Sequence, residues 1–446
     1  MIRGELSVLA TLCIVLFCVN LAIADGPIFS GEIEYPAGDG AWRVCAADLD
    51  GDADNDLAVV NWISNDVYVY LNQGDGTFLL ADTYGVGSTP TDVLAVDLDG
   101  DDDVDLAVAN AGANSIAILF NNGDATFQAP VYYAAHLEPR YLFAADLDGD
   151  LDDDLAVANS ASDDVSVLLN NGDGSFQAPV HYGVGATPRE VFAINLDGDA
   201  DYDLAVANQL SDDVSILLNN GDATFQAAVS YPAGDASGGL HAADLDDDLD
   251  YDLAVANAGS DDVSVLLNNG DGTFAAAVAY GVGTAPVDVY AADLDGDGDD
   301  DLAVANWQSD NVSILLNDGD GTFQPPVNYA TADGPVGVIA AELDNDGDYD
   351  LAVANRYSGE LTLFANQSGP YPVTGDANGD GIVNITDAVY LIRYIFSGGP
   401  PPIPLMSGDA NCDGIVNITD AVYVINYIFA GGAPPGDPDA DGEPDC

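Results

Sequence analysis

The chain of 446 residues contains no lysine; its six basic residues are all arginine, set against 77 Asp and Glu for a formal net charge of −71. A surface so poor in cations cannot neutralise a phosphate backbone, which excludes nucleic acid as a partner. It also offers no lysine for Schiff-base or general-base chemistry. Cysteine (five), tryptophan (three), histidine (three) and methionine (two) are scarce. Beyond the N-terminal segment no apolar run approaches the ~18 residues that a membrane span needs. Chains this acidic are commonly disordered, but a hydrophobic content of 48% argues for a packed fold.

Residues 1–24 read as a secretory signal. Arg3 precedes an apolar stretch from Val8 to Val19, and Ala22-Ile23-Ala24 stands before Asp25. The mature protein is therefore expected outside the cell or at its surface. Cys18 follows the bulky Phe17, which argues against a lipid anchor. Cleavage would leave Cys45, Cys412 and Cys446, an odd count that permits a single bridge. The expected pair is Cys412 with Cys446, pinning the C-terminal tail.

What the chain has in abundance is one sentence written seven times. DLDGDADNDLAVVN begins at Asp48, and its counterparts begin at Asp97, Asp146, Asn195, Asp244, Asp293 and Glu342, always 49 residues on. Oxygen-bearing side chains fill the first, third, fifth, seventh and ninth positions. In order these are Asp48, Asp50, Asp52, Asp54 and Asp56; Asp97, Asp99, Asp101, Asp103 and Asp105; and Asp146, Asp148, Asp150, Asp152 and Asp154. They continue as Asn195, Asp197, Asp199, Asp201 and Asp203; Asp244, Asp246, Asp248, Asp250 and Asp252; Asp293, Asp295, Asp297, Asp299 and Asp301; and Glu342, Asp344, Asp346, Asp348 and Asp350. At about 5 Å and an effective dielectric near 20, each carboxylate pair costs about 3 kcal/mol. A hard cation with six to eight oxygen ligands relieves that repulsion, which points to Ca2+ at each of the seven loops. Acid at fixed columns is not what a general acidic surface bias would produce.

After each loop comes an apolar run such as Leu106 to Asn110, then a polar turn, a second strand such as Val165 to Leu169, and an Asn-Gly or Asp-Gly hairpin. A fourth strand runs from Phe to Tyr, as in Phe78 to Tyr84 and Phe127 to Tyr133. Four short antiparallel strands per 49 residues predict a β-propeller blade. Phe29 to Tyr35 is a further Phe-to-Tyr strand, whereas Pro370-Tyr371-Pro372 stands where the seventh repeat needs its own. The N-terminal strand is thus expected to complete the last blade and close a seven-bladed ring over residues 25–369.

These loops, with LAVAN and FQAPVHYGVGATP, resemble the FG-GAP or VCBS repeats of integrin α-chain propellers. The resemblance implies calcium held by the first, third, fifth and ninth side chains and the seventh carbonyl; in blade two these are Asp97, Asp99, Asp101, Asp105 and the carbonyl of Asp103. Glycine, frequent at the sixth position of such loops, occurs there only at Gly298 and Gly347, leaving the turn geometry of the other five loops open. Asn195 lacks a charge and Glu342 has a longer arm, so those two sites are expected to be weaker or different.

From 370 the composition changes. GDANGDGIVNITDAVYLIRYIF recurs 33 residues later as GDANCDGIVNITDAVYVINYIF. Each copy is a 12-residue loop with oxygens at positions one, three, five, nine and twelve: Asp376, Asn378, Asp380, Asn384 and Asp387, then Asp409, Asn411, Asp413, Asn417 and Asp420. Carbonyls of Ile382 and Ile415 would add the seventh position, and Gly381 and Gly414 permit the bend of an EF-hand loop. A helix is expected after each, with Val389, Ile392 and Ile395 on one face of the first. The pair resembles a type I dockerin over 370–433, which implies two further Ca2+ and a cohesin-type partner. Partner choice maps by that resemblance to Ile385, Thr386, Ile418 and Thr419. The alternative is a calcium-stapled cap on the chain's own propeller. The tail 434–446 alternates acids from Asp437 to Asp445, a solvated end or one more calcium site.

The fold class expected is therefore an all-β seven-bladed propeller with a small C-terminal α-helical, EF-hand-like domain. Calcium loops and Asn-Gly hairpins should share one face of the ring. The opposite face should carry Trp42, Arg43, Trp62, Trp307, Arg356 and Tyr357 in one sector, a candidate patch for a glycan or an extracellular protein. His136, His181 and His241 occupy three different columns with no common partner in the sequence, and Cys45 shares a column with Leu94, Phe143 and Phe192, as a buried thiol would. No catalytic constellation is legible. The leading expectation is a calcium-binding adhesion or binding protein docked to a larger extracellular assembly; the alternative is a polysaccharide-cleaving enzyme.

Overall fold

The computed structural model describes residues 29–366, 385–397, 421, 422, 424 and 425. Outside these lie the expected signal segment, the dockerin-like loop positions Asp376 to Asn384 and Asp409 to Asp420, the expected Cys412–Cys446 bridge and the acidic tail.

Seven four-stranded antiparallel sheets form the ring, and six of them take their strands in chain order. The seventh is completed by Phe29–Pro36, which pairs with Glu360–Asn366 and so closes the circle. The first strand of each blade lies nearest the axis, as Ala41–Ala47 does in blade one and Pro90–Val96 in blade two.

Second strands such as Asp105–Asn110 are buried along their whole length. The period-2 alternation of a strand sends Leu106 and Val108 into the layer shared with blade one, while Ala107 and Ala109 face blade three. At six of the seven interfaces the second strand of one blade thus sets a leucine and a valine against two alanines of the preceding blade's second strand, and only blade one offers a valine, Val60, beside its alanine. A fully buried leucine is worth about 1.5–3 kcal/mol, and the motif places one at every junction. The layer between blades seven and one, with Leu57, Val59, Leu343 and Leu361, is built like the rest.

Polar staples repeat with the same period. Asn121 Nδ2 donates to the carbonyls of Leu49 in the preceding blade and of Val104 in its own, at 2.8 and 2.9 Å. Asn72 makes the equivalent bond to Leu343 and so stitches the closure. The Phe-to-Tyr pattern is also a device between blades: Tyr84 meets Phe127 edge to face at 5.3 Å. The outer strands are shorter than the sequence suggests in blades two to six, spanning only four residues such as Val131–Ala134. Phe127 keeps a single bridge to Asn121, and Gln128 N–H turns back to the Phe120 carbonyl, which interrupts the ladder.

In the C-terminal region a helix runs over Ile385–Ser397. Its buried side is Ala388 and Leu391, with Leu391 against Ala421 and Ile395 packed alongside. Val389 and Ile392, expected there, are exposed, because the second helical segment packs one position away from the predicted stripe. Ile385, Thr386 and Asp387 open this helix.

Candidate functional site

Both faces of the ring carry clusters of titratable groups, built in different ways. On the loop face the seven acidic loops share one geometry. Asp48 folds back to accept N–H bonds from Gly51, Asp52 and Ala53 at 2.8–3.1 Å. Asp52 accepts from Asp54 N–H at 3.1 Å. The ninth residue, Asp56, is buried and bridges the Leu49 and Asn72 amides at 3.0 and 2.8 Å, and its counterparts through Asp350 do the same. Burial pushes these carboxyls up, to about 6 at Asp56 and about 8 at Asp301, against the pull of the amide bonds.

First, third and ninth carboxylates converge, with ligand atoms within 4.8 Å of one another in Asp48, Asp50 and Asp56, in Asp97, Asp99 and Asp105, and in the loops of blades three and five. Third-position oxygens of Asp99, Asp148, Asp246 and Asp344 are buried with no hydrogen-bond partner. Orphaned, all-oxygen and anionic, this donor set fits a hard cation such as Ca2+. Seventh-position side chains turn away: a Cβ on Gly123 would lie 2.6 Å from Asp103 Oδ2, so Asp103 could serve the loop through its carbonyl and not its carboxylate.

All seven loops make the same turn whether or not glycine is present. The sixth residue is left-handed at Ala53, Asp102, Leu151, Ala200 and Leu249, with φ between 70 and 81°. Glu342 uses its longer arm to reach the Gly347 and Asp346 amides, reproducing the contacts of an aspartate. Asn195 retains the bond from Gly198 N–H at 2.8 Å.

Along the axis, the column of Cys45 is a channel wall and not an interior layer. It lines a cavity of about 380 Å3 with Leu94, Phe143, Phe192, His241, Tyr290 and Ile339. Phe192 stacks near Phe143 and His241, and His241 near Tyr290, at 4.4–5.1 Å. Burial pushes the Cys45 thiol up to about 12 and His241 down to about 4, so both stand neutral. Two residues before this column, Arg43 is paired with Glu190 at 2.9 Å and with Asp288. Asp92, Glu190 and Asp288 also accept the N–H of Leu142, Leu240 and Val338 in the following blade. Burial lifts Asp92 to about 7 and Glu190 to about 8, while Arg43 pulls both back. Arg43 is therefore a plug inside the channel, only 15% exposed, at the floor of the cavity that Trp42, Trp307 and Arg356 also line.

The remaining expected patch residues do come together at the channel mouth on the face away from the acidic loops. The Arg356 guanidinium lies 4.7 and 4.6 Å from the rings of Trp42 and Trp62 and 5.5 Å from that of Tyr357; Trp307 meets Tyr357 at 6.1 Å. Across the mouth stand Arg140 and Arg189, from blades three and four, so the basic groups form a second wall and do not crowd one sector. Toward the outer edge of blade three, His136 Nδ1 and Asp164 Oδ2 are 2.6 Å apart, His181 Nδ1 bonds Ser166 Oγ, and the two imidazoles stack at 4.4 Å. The sequence suggested no common partner for these histidines. The signal was in the columns: His136 stands where Gly87, Gly185, Gly234 and Gly283 stand in other repeats.

Comparison with known proteins accounts for the repeat and for the C-terminal region. The profile of the FG-GAP-like repeat matches residues 48–108, 97–157, 146–206, 244–304 and 293–353. That of the type I dockerin domain matches 374–429. No curated protein matches the chain. Among solved structures, BBS1N in complex with ARL6DN is similar at 16% identity and a TM-score of 0.56, covering 76% of this chain and 96% of that one. A catalytically inactive virginiamycin B lyase from Staphylococcus aureus with quinupristin gives 12% and 0.53, covering 75% and 99%. An Agrocybe aegerita lectin that recognises non-reducing terminal N-acetylglucosamine gives 21% and 0.47, covering 66% and 81%. At these identities the likeness concerns the fold alone. No helix among the described residues is long and apolar enough to cross a membrane. Repeat profile, loop geometry and ring agree: the chain belongs to the FG-GAP-like repeat family, as a seven-bladed β-propeller followed by a type I dockerin domain.

Proposed function

We propose that this is a secreted, calcium-requiring binding or adhesion protein, in which the propeller presents a ligand site and the dockerin fixes it to a cohesin-bearing assembly. The observation that carries the reading is the division of labour between faces. Acidic loops with orphaned oxygens crowd one side, and an arginine-aromatic mouth opens on the other. Calcium in each loop would set a cation among the first, third and ninth carboxylates and favour their ionised forms. The two dockerin loops would take one ion each.

Catalysis is not needed to explain the carboxylate clusters: the axial carboxylates are committed to Arg43 and to backbone amides, and the loop carboxylates recur in every blade. The test is calorimetry of the full chain against a type I cohesin with and without calcium, followed by retention of the cohesin-bound chain on extracellular matrix preparations. Calcium-dependent cohesin binding together with retention supports the reading. Failure to bind any cohesin removes the docking half, and release of new saccharide ends from retained material replaces the binder by an enzyme.

A further inference from the structure

All four arginines of the propeller converge on one cavity at the channel mouth, in a chain whose formal net charge is −71. The cavity, of about 230 Å3, is walled on one side by Arg140 and Arg189 and on the other by Trp42, Trp307 and Arg356. Arg43 beneath it is satisfied by Glu190 and Asp288, and Arg140 by Ser160 and the exposed Glu138. The guanidinium groups of Arg189 and Arg356 have no hydrogen bond or ion pair among the described residues. Arg356 is held through its face, over two indoles, which leaves its N–H edges unspent. Burial together with the like charges of Arg140, Arg43 and Arg356 pushes Arg189 down to about 10. A further donor of the same cavity, Trp307 Nε1, is buried without an acceptor. Cations gathered against their mutual repulsion, with donors in surplus, are arranged for an anion that the chain itself does not supply.

From this we infer that the channel mouth binds an acidic saccharide, one anionic sugar ring at a time, through Arg189 and Arg356 with Trp42 and Trp307 as stacking faces. Guanidinium forks match a carboxylate or sulfate in bidentate fashion. Indole faces suit the apolar face of a pyranose ring, and the amides of Gln209 and Gln308, which line the same cavity, suit its hydroxyls. The volume falls below the ~300–1,000 Å3 usual for drug-sized ligands, which restricts the occupant to a single ring or chain end. The inference rests on the reading of the propeller as a binder and names the class of its ligand.

The chain carries its own reporter, since Trp42, Trp62 and Trp307 are its only tryptophans and all stand at this mouth. The calcium-loaded full chain would be titrated with galacturonic acid, galactose 6-sulfate and neutral galactose while tryptophan emission is followed. A saturable change with either acid, absent with galactose and weakened about tenfold or more in Arg189→Gln and in Arg356→Met, is the expected result. Which acid saturates first tells carboxylate from sulfate. An equal response to galactose, or no response to either acid, overturns the inference, as does unchanged affinity in variants that keep wild-type β-sheet circular dichroism. The wild-type contrast between acid and neutral sugar decides the matter even if a variant fails to fold. Cohesin binding and matrix retention are read separately, so a ring that holds matrix by another surface would keep the proposed function and lose this one.

Discussion

The two faces of the ring teach opposite lessons about the same repeat. On the loop face seven copies say the same thing: each ninth-position aspartate bonds the same two amides, and each sixth residue takes the same left-handed turn, whether alanine, leucine, aspartate or glycine. On the axial side the copies disagree. One column reads Arg43, Asp92, Tyr141, Glu190, Gly239, Asp288 and Gly337, and the next position outward reads Trp42, Thr91, Arg140, Arg189, Gly238, Val287 and Val336. Repetition builds the ring and loads it with like charge; departure from repetition makes a place where something different can bind. Charge follows the same division, since the loop face repeats acid in every blade while the arginines gather at the mouth.

The contrast is tested most strongly by removing the cation from the repeated face. A site held at a hundred times its dissociation constant contributes about 2.7 kcal/mol, and several loops so occupied would act on one cooperative ring. Chelation is therefore expected to lower the melting temperature by on the order of 10 °C or more in calorimetry. Calcium should restore it and magnesium should not, because the loop offers irregular oxygen ligands and not an octahedron. A melting curve indifferent to chelator would mean that the converging carboxylates are held by their amide bonds alone.

Much of the repeated face was legible beforehand, and little of the variable one. Seven columns of acid every 49 residues define the loops, and Phe29 to Tyr35 announces the closure that the pairing with Glu360–Asn366 carries out. The left-handed turns at Leu151 and Leu249 were not legible, because propensity disfavours them and only the shared loop contacts impose them. Asp92, Glu190 and Asp288 look like three scattered acids in the chain. Their meeting with Arg43 depends on which inner-strand position faces the axis, and an apolar wall resembles an interior layer until the channel between the blades is seen. The same holds for His136 and His181, 45 residues apart in sequence and stacked in space.

The variable side gives the next largest effect, at Arg43. Replacing it by methionine strands two buried carboxylates, Glu190 and Asp288, and takes the nearby cation from Asp92; breaking a buried pair from one side costs about 3–5 kcal/mol. Folded values of about 7 for Asp92 and about 8 for Glu190 exceed the ordinary range near 4. Such raised acids favour folding at low pH, and that contribution is lost as pH rises through the folded values. Without Arg43 these values rise further, so the stability deficit of Arg43→Met should widen between about pH 6.5 and 9. His241, held down to about 4, acts in the opposite sense, but only below its ordinary value near 6.5. Urea unfolding of variant and wild type across this window, both calcium-loaded, cancels what the loops contribute to each. A deficit that shrinks as pH rises would remove Arg43 from its place as the counter-charge of the channel.

The smallest effect separates what the repeated face needs from what it merely tolerates. Leu151 is 90% exposed and holds φ at 75°, a conformation that costs a side-chain-bearing residue about 1–2 kcal/mol. Glycine relieves that strain but widens the unfolded ensemble, an opposing term of about 0.4–1 kcal/mol. Leu151→Gly should therefore stabilise the calcium-loaded chain by about 0.5 kcal/mol, read as a small upward shift in urea midpoint at constant slope. Leu249→Gly, equally exposed and equally left-handed, should match it. Destabilisation by either variant would mean that these leucines are held by contacts of their own, and that even the repeated face carries private features.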